Sequence, residues 1–187
     1  MPNAVLRLLA ITMLAAGYAQ AQDTPPIKPG LWEVRSERAV DGKPAPDMSR
    51  SLENLPPAVR KQVEATMRSK GVALGPGGVH QICHTRESLD QSAWLGQQGS
   101  CTTDITSRSA RSWKWRSTCK QPAMEGDGEA LFAGPERYTV RSAMTMAVDG
   151  KAQTTETTVT AKWLGASCGD LKPMQPAAPV RPAPAKE

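Results

Sequence analysis

Alternation of apolar and polar side chains on both sides of Asp149-Gly150 is the feature that most constrains how this chain folds. A period of two is typical of a half-buried β-strand. Asp-Gly is the strongest short hairpin signal, because both turn residues must accept positive φ. A turn centred there pairs Val140 with Val159 and Tyr138 with Ala161, on one apolar face. The pattern therefore predicts an antiparallel β-hairpin.

A second hairpin follows from the same reasoning. A turn near Ser109-Ala110 would place Cys101 opposite Cys119 and Ile105 opposite Trp115. Further strands are predicted just after Pro29-Gly30, from Val79 to Cys83, and from Gly128 to Ala133. The fold class expected is all-β: an antiparallel meander that forms a small barrel or sandwich.

One amphipathic helix is expected as an insertion between the first two strands, over about residues 56–70. Val59, Val63 and Met67 recur every four residues there, Pro56-Pro57 suits a first turn and Gly71 a C-terminal stop. Its polar side is basic, which is also typical of a membrane-surface helix, but the apolar stripe lacks Trp, Phe and Leu, so packing against the sheet is favoured. A short helix is predicted over about 86–95.

The sequences at the two ends of the chain predict an export signal and a disordered C-terminal tail. Residues 1–21 carry Arg7, an apolar run from Leu8 to Ala16 and the small-x-small sequence Ala19-Gln20-Ala21, which indicates a signal peptide cleaved after Ala21. Five prolines at three-residue or shorter intervals predict a disordered tail over 173–187. Residues 22–172 are left as a single β-rich domain, and no transmembrane segment is expected in the mature chain.

The charge is too small and too dispersed for a nucleic-acid binder. The chain carries 23 Lys+Arg against 18 Asp+Glu, a net charge of +5. Cleavage after Ala21 would remove only Arg7 from that sum and leave +4 on 166 residues. No basic stripe is present, so a nucleic-acid partner is not expected.

Four cysteines, an even number in an exported chain, predict two disulfides. The hairpin register favours Cys101–Cys119, which leaves Cys83 for Cys168. The rival pairing in chain order is Cys83–Cys101 with Cys119–Cys168. Metal binding and redox activity are less favoured, because both usually need cysteines in close pairs.

Other motifs do not define a catalytic site. His80 and His84 would stand about 13 Å apart on one strand face, too far for one metal ion. Gly75-Pro76-Gly77-Gly78 lacks the Lys-Ser/Thr of a phosphate loop. Glu125, Asp127 and Glu129 do not match a calcium loop. We therefore predict no catalytic, cofactor-binding or metal-binding residues and no cofactor.

Tryptophan and methionine provide the one candidate ligand pocket. Five tryptophans are the main apolar anchors of a chain with one Phe and two Tyr. The favoured interpretation is that these side chains fill the core. The more specific alternative is that some of them line a ligand pocket. The pocket residues would be Trp32, Trp115, Trp163, Met144 and Met146.

Taken together, several segments resemble one uncharacterised bacterial periplasmic family, domain of unknown function 3617. These are Pro29 to Val34 after a signal peptide, the Leu55-Pro56-Pro57 helix start, Cys83-His84-Thr85, the Trp-x-Trp hairpin ending in Cys119, and Trp163-Leu164-Gly165 followed by Cys168-Gly169. The similarity spans about 28–170. The closing Gly165 to Cys168 spacing is longer than the family's pattern, which puts the last disulfide in question.

The resemblance implies an exported, disulfide-bonded β protein of a Gram-negative envelope and carries over no catalytic residues. The function expected is that of a non-catalytic periplasmic protein that binds an envelope protein or a small molecule. Two alternatives remain: a β-barrel carrier of a small apolar ligand, supported by a cavity lined with Trp and Met, and a hydrolase that uses carboxylates converging in a cleft.

Overall fold

The computed structural model of the chain describes residues 24–46, 48–89 and 100–173. The predicted signal peptide, residues 90–95 of the predicted short helix and nearly all of the predicted tail lie outside the described residues. Of the short helix, the described part shows a single 3-10 turn, Glu87–Leu89.

Within those ranges the chain forms one antiparallel sheet with a helical insertion. The strand order is β3-β4-β1-β9-β8-β7-β6-β5, and β2 pairs with β1. The all-β antiparallel meander is thus confirmed. The sheet is open, with β3 and β5 at its two edges, and is not closed into a barrel. The elements are β1 (Gly30–Val40), β2 (Lys43–Pro44), α1 (Met48–Glu53), α2 (Pro57–Ser69), β3 (Val72–Leu74), β4 (Val79–His84), β5 (Cys101–Arg108), β6 (Ser112–Lys120), β7 (Ala123–Phe132), β8 (Arg137–Val148) and β9 (Lys151–Gly165).

Both predicted hairpins are confirmed in register. In β8 and β9, Val140 lies opposite Val159, and the turn residue Asp149 has φ 50°, as an Asp-Gly hairpin turn requires. In β5 and β6, Cys101 lies opposite Cys119. Side-chain periodicity and turn chemistry specify the same pairing, which is why the register could be predicted.

The predicted helical insertion is confirmed as α2. The helix begins with Pro57 in its first turn, and Gly71 follows it with φ 88°. Val63 and Met67 are half-buried and Val59 is exposed. No helix in the described parts of the chain has the length and apolarity needed to cross a membrane.

Strand β7 is longer than predicted. It begins at Ala123 rather than near Gly128. Gly126 and Gly128 lower the strand propensity of this stretch, and its acidic residues suggested a solvated entry to the strand. β7 pairs with both β6 and β8, and the backbone hydrogen bonds on its two edges stabilise an extended conformation that the local sequence does not favour.

The core lies on one face of the sheet, called here the core face. Trp32 and Trp113 are fully buried on it, and Trp113 packs edge-on against Phe132 with ring centroids 6.0 Å apart. Ile27 and Leu89, from segments outside the strands, join the same cluster. The buried cluster also contains Val34, Ile82, Trp115, Ala130, Tyr138 and Ala161.

The favoured disulfide pairing is confirmed and the rival pairing is not formed. Cys101 and Cys119 are bridged directly across β5 and β6, with Cα atoms 3.9 Å apart. Cys83 on β4 is bridged to Cys168, just beyond β9, with Cα atoms 5.7 Å apart. The longer spacing before Cys168 therefore does not prevent the last bridge.

Candidate binding surface

The core face is divided along the strands into a buried part and a half-buried part. The side chains near the Tyr138 end of β8 belong to the buried cluster. Towards the Asp149-Gly150 turn, two consecutive cross-strand rows are mostly half-buried, and we call them the methionine rows. One row contains Cys101, Cys119, Met124, Met146 and Gln153; the next contains Thr103, Ser117, Gly126, Met144 and Thr155.

Two glycines of β7 shape the boundary between these parts. Gly128 lies opposite Trp115, and a Cβ atom at Gly128 would collide with the Trp115 indole ring. A Cβ atom at Gly126 would collide with the Ala143 carbonyl oxygen and lie 2.8 Å from Sδ of Met144. Trp115 and Met144 thus occupy, from either side, the space that side chains at these positions would need.

We expect Gly128→Ala to destabilise the fold by about 2 kcal/mol, because the added methyl group would force the large Trp115 ring away from its packed position. Gly165→Ala is the matched control, since a Cβ atom there meets nothing within 4 Å. Urea denaturation of both variants measures the difference. Equal stability of the two variants would contradict the close approach of Trp115 to Gly128.

The five predicted pocket residues lie in two separate places. Trp115, Met144 and Met146 occupy three consecutive rows of the core face. Trp32 and Trp163 are paired with each other on β1 and β9, at the other end of the face. Measured along the strand direction, these two tryptophans lie about 20 Å or more from Met144 and Met146, at the usual rise per residue of a β-strand.

Trp32 and Trp163 serve as anchors of the N-terminal segment. The indole Nε1 of Trp32 donates to the Lys28 carbonyl at 3.0 Å, and Nε1 of Trp163 donates to the Pro29 carbonyl at 3.1 Å. Nζ of Lys28 lies 4.6 Å from the Trp163 ring centroid, a cation–π contact. Both indoles therefore hold the chain that leads into β1.

The outer face carries an open groove of about 570 Å³. Its walls contain the acids Asp127, Glu129 and Glu156 and the bases Lys114 and Arg141, around the small side chain of Ala143. Two of the acids are ion-paired across the strands: Glu129 with Lys114 at 3.5 Å, and Asp127 with Arg116 at 3.1 Å. Exposed pairs of this kind contribute about 0–1 kcal/mol each.

A buried histidine lies at the opposite end of the core face from the methionine rows. His84 is 3% exposed, and its Nε2 is 3.3 Å from the Tyr138 hydroxyl. Its Nδ1 has no hydrogen-bond partner among the residues described. Burial lowers the pKa of His84 to about 4 and raises the pKa of Tyr138, so both are neutral at pH 7. Sequence reasoning gave no signal for this pair, because Tyr138 is 54 residues away.

The histidines and acids do not assemble a metal centre in the described ranges. His80 and His84 share the core face, as expected for a strand, while Cys83 between them is oxidised. The described residues contain no group of three or more His, Cys, Asp or Glu side chains that could hold a metal ion.

The fold and these contacts define a disulfide-bonded, antiparallel β-sheet protein with a half-buried region on its core face. Its sequence from residue 27 to 168 matches the family model described as "Protein of unknown function (DUF3617)", and the chain belongs to that family. It is 36% identical over 121 residues to an uncharacterised protein encoded in the lpd-3 5′ region of Pseudomonas putida. That alignment covers 62% of this chain and 83% of the relative. No solved structure matches the chain significantly.

Proposed function

We propose that this protein is exported to the periplasm of a Gram-negative bacterium and acts there as a non-catalytic binding protein associated with the envelope. The observation that carries the proposal is that all four cysteines are oxidised in two disulfides. Such bonds persist in oxidising compartments and are rare in the cytosol. The signal-like residues 1–21 support the same location.

The export part of the proposal is tested by expressing the full chain in a Gram-negative host and fractionating the cells. We expect a periplasmic protein that begins at Gln22 and has no thiol that reacts with an alkylating agent, measured by intact mass. The control variant is Leu8→Arg, which interrupts the apolar run and retains the uncleaved chain in the cytosol. A wild-type protein with its original N-terminus and free thiols would contradict the proposal.

The half-buried methionine rows are the proposed binding surface. Met124, Met144 and Met146 lie outside the buried core cluster and are half-buried, so part of each side chain is accessible to a ligand. Methionine is flexible and polarizable, and it is used on surfaces that adapt to a ligand. Native mass spectrometry of the periplasmic protein would show a co-purified ligand as an added mass.

A second candidate function, carriage of a small apolar molecule, is favoured by the position of Trp115 beside the methionine rows. The test is fluorescence of anilinonaphthalene sulfonate added to the folded protein. Carriage predicts enhancement that Met146→Glu removes and Met67→Glu, on α2, does not. Equal fluorescence from the two variants would contradict carriage on this face.

The hydrolase alternative is less favoured by the geometry. Acids do line one groove, but Asp127 and Glu129 are each held in an ion pair with a cation of β6. A hydrolase of this type needs two carboxyl groups that both face the substrate, whereas these two acids are each engaged by a neighbouring cation.

A further inference from the structure

The methionine rows place three methionines at neighbouring positions on one face of the sheet. Met124 on β7 lies directly opposite Met146 on β8, and Met144 is the next residue along β8 on the same face. Directly opposed side chains have Cβ atoms about 4.5–5.5 Å apart, and diagonal neighbours about 7–8 Å or less. A methionine has three rotatable bonds, so the three sulfurs are within reach of a single point.

The position of Met144 favours this convergence. Its Sδ lies over Gly126, at 2.8 Å from where a Cβ atom would stand. Gly126 is two residues from Met124 on the same face of β7. The missing side chain at Gly126 therefore lets the Met144 sulfur lie over β7, one position along the same face from Met124.

These methionines lie outside the buried core cluster. All three are half-buried, and among the described residues none belongs to the buried cluster. Their neighbours are uncharged: the Thr103 and Ser117 hydroxyls hydrogen-bond to each other at 2.9 Å, and the nearest cysteines are oxidised. The thioethers are thus the soft donor atoms of the two rows.

We propose that Met124, Met144 and Met146 form a binding site for a soft monovalent metal cation, Cu(I) or its analogue Ag(I). Thioether ligands select soft ions such as Cu(I), whereas Ca²⁺, Mg²⁺ and Mn²⁺ prefer carboxylate and carbonyl oxygens. Three neutral sulfurs without a carboxylate therefore discriminate against divalent ions. This site rests on the proposed function in one respect: in an oxidising compartment the thiols are consumed by disulfides, and thioethers remain as the soft ligands.

The test uses Ag(I), which needs no reductant, with the folded disulfide-bonded protein. Native mass spectrometry is expected to show one Ag(I) per chain, unaffected by excess Ca²⁺ or Mg²⁺. Met124→Leu and Met146→Leu are each expected to weaken binding by about tenfold or more, and the triple leucine variant to abolish it. Met67→Leu on α2 and His80→Gln are the matched controls and should bind as the wild type does.

A second measurement needs no variant. In protein labelled at the methionine methyl carbons, Ag(I) should shift the resonances of these three methionines and leave that of Met67 in place. Absence of binding by the folded wild type, retention of binding by a folded triple variant, or shifts confined to other methionines would overturn the site. None of these results would bear on export, which the fractionation experiment tests separately.

Discussion

Replacing both Cys83 and Cys168 by alanine is expected to lower the free energy of unfolding by between about 4 and 5 kcal/mol. The bridge closes a loop with a sequence separation of 85 residues, and the chain entropy released in the unfolded state grows with loop length. Since single domains are stable by about 5–15 kcal/mol, the variant should be close to unfolding at 37 °C. Urea denaturation of the oxidised proteins measures the loss.

The control for that result is the double alanine variant of Cys101 and Cys119. Its loop has a sequence separation of only 18, so the same entropy argument gives a smaller loss of about 3 kcal/mol. A larger loss from the short loop than from the long one would contradict an entropic origin and would indicate that the cross-strand bridge holds β5 on the sheet.

Stability is expected to fall by about 3 kcal/mol between pH 6.5 and pH 4 because of His84. Burial lowers the pKa of His84 from 6.5 to about 4. The unfolded chain therefore binds a proton that the folded chain does not, so the contribution is present above pH 6.5, declines as the pH falls, and is gone below pH 4. Urea denaturation over this pH range measures the slope.

The comparison variant is His84→Gln, which keeps a polar group beside Tyr138 but cannot take up a proton. Its stability should vary less with pH between 4 and 6.5 than that of the wild type. His80→Gln is a second control. Burial also lowers the pKa of His80, but less of that side chain is buried, so this variant should change the pH dependence of stability less than His84→Gln does. If the His84 variant retains the full slope, His84 is not the titrating group.

The strand pairing could be predicted wherever alternation and a turn signal agreed. At Asp149-Gly150 the turn residues specify the geometry, and the alternating flanks then permit a single register. The bridge between Cys101 and Cys119 follows from the same logic. These are local features, in which neighbours along the chain become neighbours in the sheet.

The parts of the fold and of the candidate site that could not be predicted depend on contacts that the local sequence does not encode. β3 and α1 are too short to leave a periodic signal, with three and six residues. His84 on β4 and Tyr138 on β8 meet over the core face beside Trp32, whose ring contacts both, although β4 and β8 are not neighbours in the sheet. Gly126 and Gly128 lowered the strand propensity of β7, whereas in the fold they give Trp115 and Met144 their space. At these places tertiary packing overrides propensity.

The position of β1 in the sheet has a consequence for the order of assembly. Of the strands in the described residues, β1 is synthesised first, yet one edge of β1 pairs with β9, which is synthesised last. Until then that edge carries unsatisfied backbone donors and acceptors, the kind of template that recruits strands from other molecules. Incomplete chains are therefore most prone to aggregate in the interval before β9 is available. A high local concentration of such chains favours strand pairing between molecules over correct folding.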